Sequence, residues 1–207
     1  MLVRWSTLVS RTLTTTRTFE EITIFIAWVA SIAASLILLP NVRGVTGAGL
    51  AVLMIAIAVI DARRFIIPDE LTVAALALGF LHAAIQGADF IVDALMGAAI
   101  RGAVLAFAFL SLQVLYRRIR GREGIGLGDV KLASVAGVWL DWATIPVSIE
   151  IAALGALAVY AARRLYKGRP LSRTVRMPFG LFFAPAIWLS WLLESTFKLF
   201  PSALSLQ

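Results

Sequence analysis

The sequence contains no cysteine and only one histidine. The absence of cysteine excludes disulfide bonds, thiolate metal sites and cysteine nucleophiles, and a single histidine excludes a histidine-rich metal centre. The residues that remain imply neither a metal ion nor an organic cofactor, so we expect none.

Charged residues are also scarce. Only 15% of the 207 residues are charged, whereas 60% are hydrophobic and the mean hydropathy is +0.91. Soluble domains are roughly half apolar and a quarter charged, so this composition indicates an integral membrane protein. The net charge of +7 lies in short basic clusters between apolar runs, as the positive-inside rule expects. We therefore expect these clusters to meet membrane lipids rather than nucleic acid.

Seven apolar runs approach the length of about 20 residues that a helix needs to cross a bilayer. The second and fifth are short, and little separates the fifth from the sixth. We predict an all-α fold, a polytopic transmembrane helical bundle with six or seven spans. The runs cover residues 22–40, 45–61, 70–86, 91–116, 129–143, 145–162 and 178–197.

The first 19 residues are polar and basic and contain no acidic residue. This composition is typical of a transit peptide or of a cytoplasmic tail before the first span. The apolar run that follows is long enough to cross the membrane, which favours the tail. We therefore divide the chain into a basic N-terminal tail, 1–19, and a transmembrane domain, 20–207.

The basic residues predict the orientation of the bundle. Clusters lie at 63–64, 117–122 and 163–176, and with a cytoplasmic N-terminus and seven spans all of them face the cytoplasm. Only Arg43 and Lys198 remain on the opposite side. We expect a multi-pass protein of the cytoplasmic membrane.

Ionisable residues at membrane depth are costly, and two of them deserve separate consideration as functional candidates. Asp61 closes the second apolar run, where it could act chemically or pair with Arg63 or Arg64. Asp129 follows Gly124, Gly126 and Gly128. These alternating glycines allow another backbone to approach closely. The alternative is a glycine loop in which Asp129 caps the next helix.

Two spans separate Asp61 from Asp129, so both residues emerge on the same face of the membrane. Two carboxylates that converge in a partly desolvated site cannot both ionise cheaply; one keeps its proton while the other acts as a base. Such a pair can activate water against a peptide carbonyl. The sequence thus predicts a two-aspartate protease in the membrane, with the glycines admitting an extended substrate backbone.

Three motifs resemble those of the type IV prepilin peptidases, which are membrane aspartic proteases of the GxGD type. GLGDVKL at 126–132 resembles the GxGDxKL signature, DARRFIIPDELT at 61–72 resembles the first aspartate motif, and MPFGLFFAPA at 177–186 resembles the Pro-Phe-Gly segment. The resemblance implies that Asp61 and Asp129 are the catalytic pair. It also implies a prepilin or pseudopilin substrate, cut after a glycine at the cytoplasmic face and destined for a pilus or type II secretion apparatus.

The same motifs contain five further candidates. Asp69 matches the first motif, but its position also suits a helix start, where acids are favoured. Lys131 could tune Asp129 electrostatically or reach the lipid headgroups. Pro178, Phe179 and Gly180 could shape the substrate channel or simply form a loop-to-helix junction.

The family often carries a cytoplasmic N-methyltransferase region, with paired cysteines, between its first spans. Here only residues 40–46 join the first two spans, and cysteine is absent. The resemblance therefore implies a short form that cleaves its substrate and does not methylate it.

Two other functions fit part of the sequence. Another GxGD intramembrane protease, of the signal-peptide-peptidase or presenilin kind, would share the glycine-Asp motif, but the surroundings of the first Asp and the Pro-Phe-Gly segment differ. A small proton-coupled transporter would place its acids near the midplane, often within inverted repeats. No internal repeat is visible in the sequence.

The chain also has polar residues inside other spans. Arg101 and Glu150 have similar estimated depths, so we expect them to form a buried pair or Arg101 to reach the interface. His82 lies in the third run, where we expect a hydrogen-bonded structural residue.

Overall fold

The computed structural model describes residues 21–121, 126–167 and 178–197. Seven α-helices occupy these ranges, and no strand occurs within them. The predicted N-terminal tail, 1–19, lies outside the described residues. The helices are α1 (Glu21–Leu38), α2 (Val42–Arg64), α3 (Asp69–Gln86), α4 (Ile91–Arg120), α5 (Leu127–Trp139), α6 (Thr144–Lys167) and α7 (Gly180–Phe197), with a short 3₁₀ turn at Ala88–Phe90 before α4.

The predicted all-helical membrane bundle is confirmed. Five helices, α1, α2, α4, α6 and α7, are long and apolar enough to cross a membrane. The other two, α3 and α5, complete the predicted set but are not among these five within the described residues; α5 has only 13 residues. The fifth helix also ends earlier than the predicted boundary at 143, because the backbone becomes extended at Leu140 (φ −109°, ψ 150°).

Three helices form the centre of the bundle. Side chains of α2, α5 and α7 fill the core, among them Leu50, Met54, Leu132, Phe183 and Trp191, all of them fully buried. Most large apolar residues of α4 are exposed instead, as are Leu154, Leu157 and Leu165 of α6, which is expected for surfaces that face lipid. The central helices are therefore the ones that can hold polar groups away from lipid.

The order of the helices defines two ends of the bundle. The helices α2 and α4 end, and α3, α5 and α7 begin, at one end, which we call the site end. At the far end, the Asp141 amide donates a hydrogen bond to Glu194 Oε2 at 3.3 Å. This contact joins the loop between α5 and α6 to the last turns of α7.

His82 makes the structural contacts that its sequence position predicts. Its Nδ1 lies 2.7 Å from Thr46 Oγ1, and Trp191 Nε1 donates to its Nε2 at 3.4 Å. The imidazole also stacks on the ring of Trp139, with 4.9 Å between centroids. These contacts connect α2, α3, α5 and α7 around one side chain.

Of the two alternatives for Arg101, the pairing with Glu150 is wrong. Arg101 instead donates from Nε to the Gly137 carbonyl at 3.2 Å and lies 3.7 Å from Asp141 Oδ1, whereas Glu150 is exposed. The reason is helix adjacency: α4 packs against α5, and α6 packs against α7. Similar depth in the membrane did not place the two residues on neighbouring helices.

Candidate active site

Three segments of the chain meet at the site end. They are the last turn of α2 with the loop that follows it, the first turn of α5, and the first turn of α7. Ile67, in the loop between α2 and α3, is buried and lies against both Gly128 and Gly180. The three motifs found in the sequence are therefore brought together around one apolar side chain.

Asp61 lies on the inner face of α2, three residues before the helix ends at Arg64. Only 5% of the residue is exposed, and its Oδ2 accepts a hydrogen bond from the Leu181 amide at 2.9 Å. That amide belongs to the first turn of α7, where backbone N–H groups lack partners within the helix and attract carboxylates.

The alternative role of Asp61, an ion pair with a neighbouring arginine, is not what the structure shows. Arg63 and Arg64 are exposed, and within the described ranges no ion pair joins either of them to Asp61. The Asp61 carboxylate instead turns toward the interior of the bundle, where the Leu181 amide in the first turn of α7 donates a hydrogen bond to it.

Asp129 is the third residue of α5 and is partly buried. Its Oδ2 accepts a hydrogen bond from the Gly126 amide at 3.2 Å, so the capping role considered for it is present. The two aspartates meet around Ile67, which lies against Gly180 beside Asp61 and against Gly128 beside Asp129. The hydrogen bond from Gly126 orients the Asp129 carboxyl at the start of α5.

Two glycines of the site are tightly enclosed. A methyl group on Gly128 would lie 3.0 Å from Ile67 Cβ, and one on Gly180 would lie 2.8 Å from Asp61 Oδ2. The close approach that the sequence predicts at the glycine motif is thus made, at Gly128, by the chain's own Ile67. Gly126 differs, since it is exposed and the nearest atom to a methyl group there would be Asp129 Oδ2, at 3.5 Å.

Asp69 and Lys131 form an ion pair between the first turn of α3 and the second turn of α5. Both side chains are largely exposed. Asp69 also begins α3, as its position in the sequence suggested. The partner of Lys131 is therefore a residue of the other aspartate motif, a contact that the sequence did not predict.

The Pro-Phe-Gly segment forms the start of α7. The Phe179 carbonyl accepts hydrogen bonds from the amides of Phe182 and Phe183, and its ring lies 5.3 Å from that of Phe183. Pro178 and Phe179 are half-buried, and Gly180 is buried as the first residue of the helix. This segment is a loop-to-helix junction that places the first turn of α7 against Asp61.

Two residues of the site were not among the sequence-based candidates. Ile67 appeared only as an apolar residue of the first motif, and Leu181 as part of an apolar run. No sequence signal separates Ile67 from the apolar residues directly before it, Phe65 and Ile66, which the structure leaves exposed. No sequence signal distinguishes the Leu181 amide, because its role depends on where α7 begins.

Comparison with known proteins gives matches to the same part of the chain. Residues 48–161 match the model of the type IV leader peptidase family, and this range contains Asp61 and Asp129. A prepilin leader peptidase/N-methyltransferase of Aeromonas hydrophila is 30% identical over 78% of this chain and 54% of its own length. The corresponding protein of Burkholderia pseudomallei is 34% identical over 70% of this chain and 45% of its own length.

A shorter relative is covered more fully. The leader peptidase HopD of Escherichia coli is 32% identical over 61% of this chain and 78% of its own length. This chain spans about half the length of the longer relatives that it matches. No solved structure matches the chain. The family model and these relatives agree, and the chain belongs to the type IV leader peptidase family.

Proposed function

We propose that this protein is a membrane aspartic endopeptidase that removes the leader from type IV prepilins or pseudopilins. The observation that carries the proposal is the meeting of Asp61 and Asp129 at one end of the bundle, beside Ile67 and the first turn of α7. Membership of the family and the printed names of the relatives supply the substrate class.

The proposed reaction needs only the two carboxyl groups and water. The ionised aspartate removes a proton from a water molecule, whose oxygen adds to the carbonyl carbon of the scissile peptide. The protonated aspartate donates a hydrogen bond, and then its proton, to the carbonyl oxygen. The tetrahedral intermediate collapses when its C–N bond breaks. The leaving nitrogen receives the proton that the first aspartate took from water, and the second aspartate takes a proton back from one hydroxyl of the intermediate, which regenerates the pair. The products are a new carboxyl group and a new amino terminus.

The exposed side of the site suggests where the substrate backbone lies. Gly126 is exposed and Gly128 is partly exposed, whereas Gly180 is buried against Asp61. An extended peptide can therefore approach Asp129 from the side of Gly126, where the backbone itself carries no side chain. We assign Gly126 and Gly128 to substrate contact and Gly180, with Pro178 and Phe179, to the shape of the site.

The proposed activity does not include methylation of the new amino terminus. The segment between α1 and α2 is short, with α1 ending at Leu38 and α2 beginning at Val42. This leaves no room there for a methyltransferase region, and the chain has no cysteine. Both observations support a peptidase without that second function.

We further propose that the site end faces the cytoplasm. Arg63 and Arg64 close α2, and Arg117, Arg118 and Arg120 close α4, all at the site end. Exposed basic residues favour the cytoplasmic side and its anionic lipids. The substrate leader would then meet Asp61 and Asp129 at the cytoplasmic face of the membrane.

The transporter alternative receives no support from the position of the acids. Asp61 lies in the last turns of α2 and Asp129 in the first turn of α5, so both are at helix ends. A proton relay is expected to place its carboxylates nearer the midplane.

Co-expression with a prepilin tests the proposal, with the size of the substrate followed on a gel. We expect the intact protein to remove the leader, and Asp61→Asn or Asp129→Asn to reduce cleavage at least a thousandfold, because each change removes one partner of the acid–base pair. Asp93→Asn is the matched control, since Asp93 is an exposed acid in the first turn of α4 at the far end.

Cleavage that survives either substitution at the site would contradict the two-aspartate mechanism. Equal loss in Asp93→Asn would show that the assay reports folding or abundance instead of catalysis. Prepilins left intact by the unchanged protein would contradict the proposed substrate class.

A further inference from the structure

The ion pair between Asp69 and Lys131 joins the two aspartate motifs at a second point. Asp69 is the first residue of α3 and follows Asp61 after the end of α2 and one short loop. Lys131 is two residues after Asp129, at the start of the second turn of α5. Each partner is thus attached by a short segment to one of the two acids. The same two segments also touch through an apolar contact. Ile67, two residues before Asp69, lies against Gly128, three residues before Lys131.

Holding α3 against α5 does not require this pair. Nearer the far end, Trp139 Nε1 donates to the Ala75 carbonyl at 2.9 Å, and Gly79 allows the same indole to approach α3 closely. Exposed ion pairs add little to folding stability because water and salt screen them. We therefore expect the ion pair between Asp69 and Lys131 to act locally, at the end of α3 and α5 that lies beside Asp61 and Asp129.

We propose that Asp69 and Lys131 are positioning residues, whose ion pair sets the separation of the Asp61 and Asp129 carboxyl groups without touching the substrate. The proposal rests on the proposed peptidase function of the same site. Two acids that share one water must be held in a narrow geometry, and displacements of about 1 Å can lower a rate about a hundredfold. The pair also keeps the Lys131 ammonium on Asp69, away from the carboxylate of Asp129.

Charge reversal tests the pair directly. We expect Asp69→Lys and Lys131→Asp each to lower kcat for prepilin cleavage about tenfold or more with KM within about twofold. The double variant, which restores the pair in the opposite direction, should recover kcat to within about threefold of the intact protein. Lys131→Arg and Asp69→Glu, which keep the charges, should retain most of the activity.

The matched control is Glu70→Lys. Glu70 is the next residue in the first turn of α3 and is exposed. Its replacement by lysine changes the charge at this helix end by the same amount as Asp69→Lys. Its kcat should stay within about twofold of the intact protein. A loss equal to that of Asp69→Lys would attribute the effect to the charge of the helix terminus and overturn the proposal.

A covalent replacement gives an independent measurement. The chain has no cysteine, so a variant with Asp69→Cys and Lys131→Cys carries only two thiols. We expect a short, reducible cross-linker to join them, to restore kcat from its low value in the unlinked variant, and to lose this effect on reduction. A cross-link that forms without changing kcat would overturn the proposal.

Two results separate the positioning role of Asp69 and Lys131 from the proposed peptidase function. An intact protein that cleaves no prepilin overturns the proposed function and the positioning role with it. An intact protein that cleaves, with Asp69→Lys and Lys131→Asp equally active, overturns the positioning role alone.

Discussion

At the scale of single residues, Gly180 controls how closely α7 approaches Asp61. A methyl group there would lie 2.8 Å from Asp61 Oδ2 and 2.9 Å from Ile67 Cδ1, so the carboxylate would have to move. Because a displacement of about 1 Å can cost about a hundredfold in rate, we expect Gly180→Ala to lower cleavage by about that factor. The rate of prepilin cleavage by purified protein in detergent, at equal protein concentration, measures the effect.

Gly126 provides the comparison for this substitution. A methyl group there would lie 3.5 Å from Asp129 Oδ2, an ordinary contact, and its backbone (φ −78°, ψ 153°) suits any residue. Because Gly126 is assigned to substrate contact, Gly126→Ala should raise KM and leave kcat within about threefold of the intact protein, whereas Gly180→Ala should lower kcat. Equal losses of kcat at both glycines would show that enclosure by the protein is not the reason for the effect at Gly180.

Phe65 has a left-handed backbone that glycine would adopt more easily. It ends α2 with φ 56° and ψ 34°, its amide donates to the Asp61 carbonyl at 2.9 Å, and its side chain is largely exposed. A left-handed conformation costs a non-glycine residue about 1–2 kcal/mol. We therefore expect Phe65→Gly to raise the free energy of unfolding by about 1 kcal/mol.

Thermal unfolding of the purified protein in detergent measures the change at Phe65. Phe65→Val is the opposite case, because a β-branched residue is least suited to positive φ, and it should lower the melting temperature. If Phe65→Gly also lowered the melting temperature, the lost packing of the aromatic ring would outweigh the relief of backbone strain.

At the scale of the helices, the contact between α4 and α5 depends on the absence of a side chain at Gly137. A methyl group there would lie 2.5 Å from the Arg101 carbonyl oxygen and 2.7 Å from Gly102 Cα, and these are backbone atoms that cannot turn away. We expect Gly137→Ala to separate the two helices and to lower the free energy of unfolding by about 1–3 kcal/mol.

The matched control is another glycine inside a helix. A methyl group on Gly155, in α6, would lie 3.4 Å from Phe182 Cδ1, which is ordinary contact. Alanine is the better helix former by about 1 kcal/mol, so Gly155→Ala should be neutral or stabilising. Melting temperatures of both variants in one detergent make the comparison, and equal destabilisation would contradict the close contact of α4 with α5.

At the scale of the whole molecule, the basic residues predict which end of the bundle faces the cytoplasm. The absence of cysteine allows single thiols to be introduced without background labelling. Arg118→Cys lies at the site end and Asp89→Cys at the far end, and both positions are exposed. Because basic residues favour the cytoplasmic side, a membrane-impermeant maleimide should label Asp89→Cys in intact cells and Arg118→Cys only after the membrane is opened. The reverse pattern would place the site outside the cytoplasm.

Much of the helical architecture could be predicted because the signals for it are local. An apolar run long enough to cross a bilayer is recognisable without knowledge of its neighbours, and all seven predicted runs correspond to helices in the described ranges. The boundary of α5 was less accurate, since apolar residues continue past Trp139 while the backbone becomes extended at Leu140. Hydropathy does not report where a helix ends inside a buried segment.

Asp61 and Asp129 could be proposed from the sequence because a carboxylate beside an apolar run is conspicuous, and because counting spans puts both on one side of the membrane. Contacts between helices could not be predicted in this way. The partner expected for Arg101 was wrong, and the pairing of Lys131 with Asp69 was not anticipated. Each of these contacts depends on which helices are neighbours and how each is rotated about its axis.

Composition, charge distribution and motif order are properties of residues close together in the chain, and they were enough to indicate a helical membrane protein with two acids at one end. The meeting of Ile67 with Gly128 and Gly180, and the hydrogen bond from the Leu181 amide to Asp61, join residues far apart in sequence. A rotation of α7 by one residue, about 100°, would turn Gly180 away from that carboxylate. Helix packing selects this rotation, because only close-packed surfaces bury the apolar side chains of α2, α5 and α7 without voids.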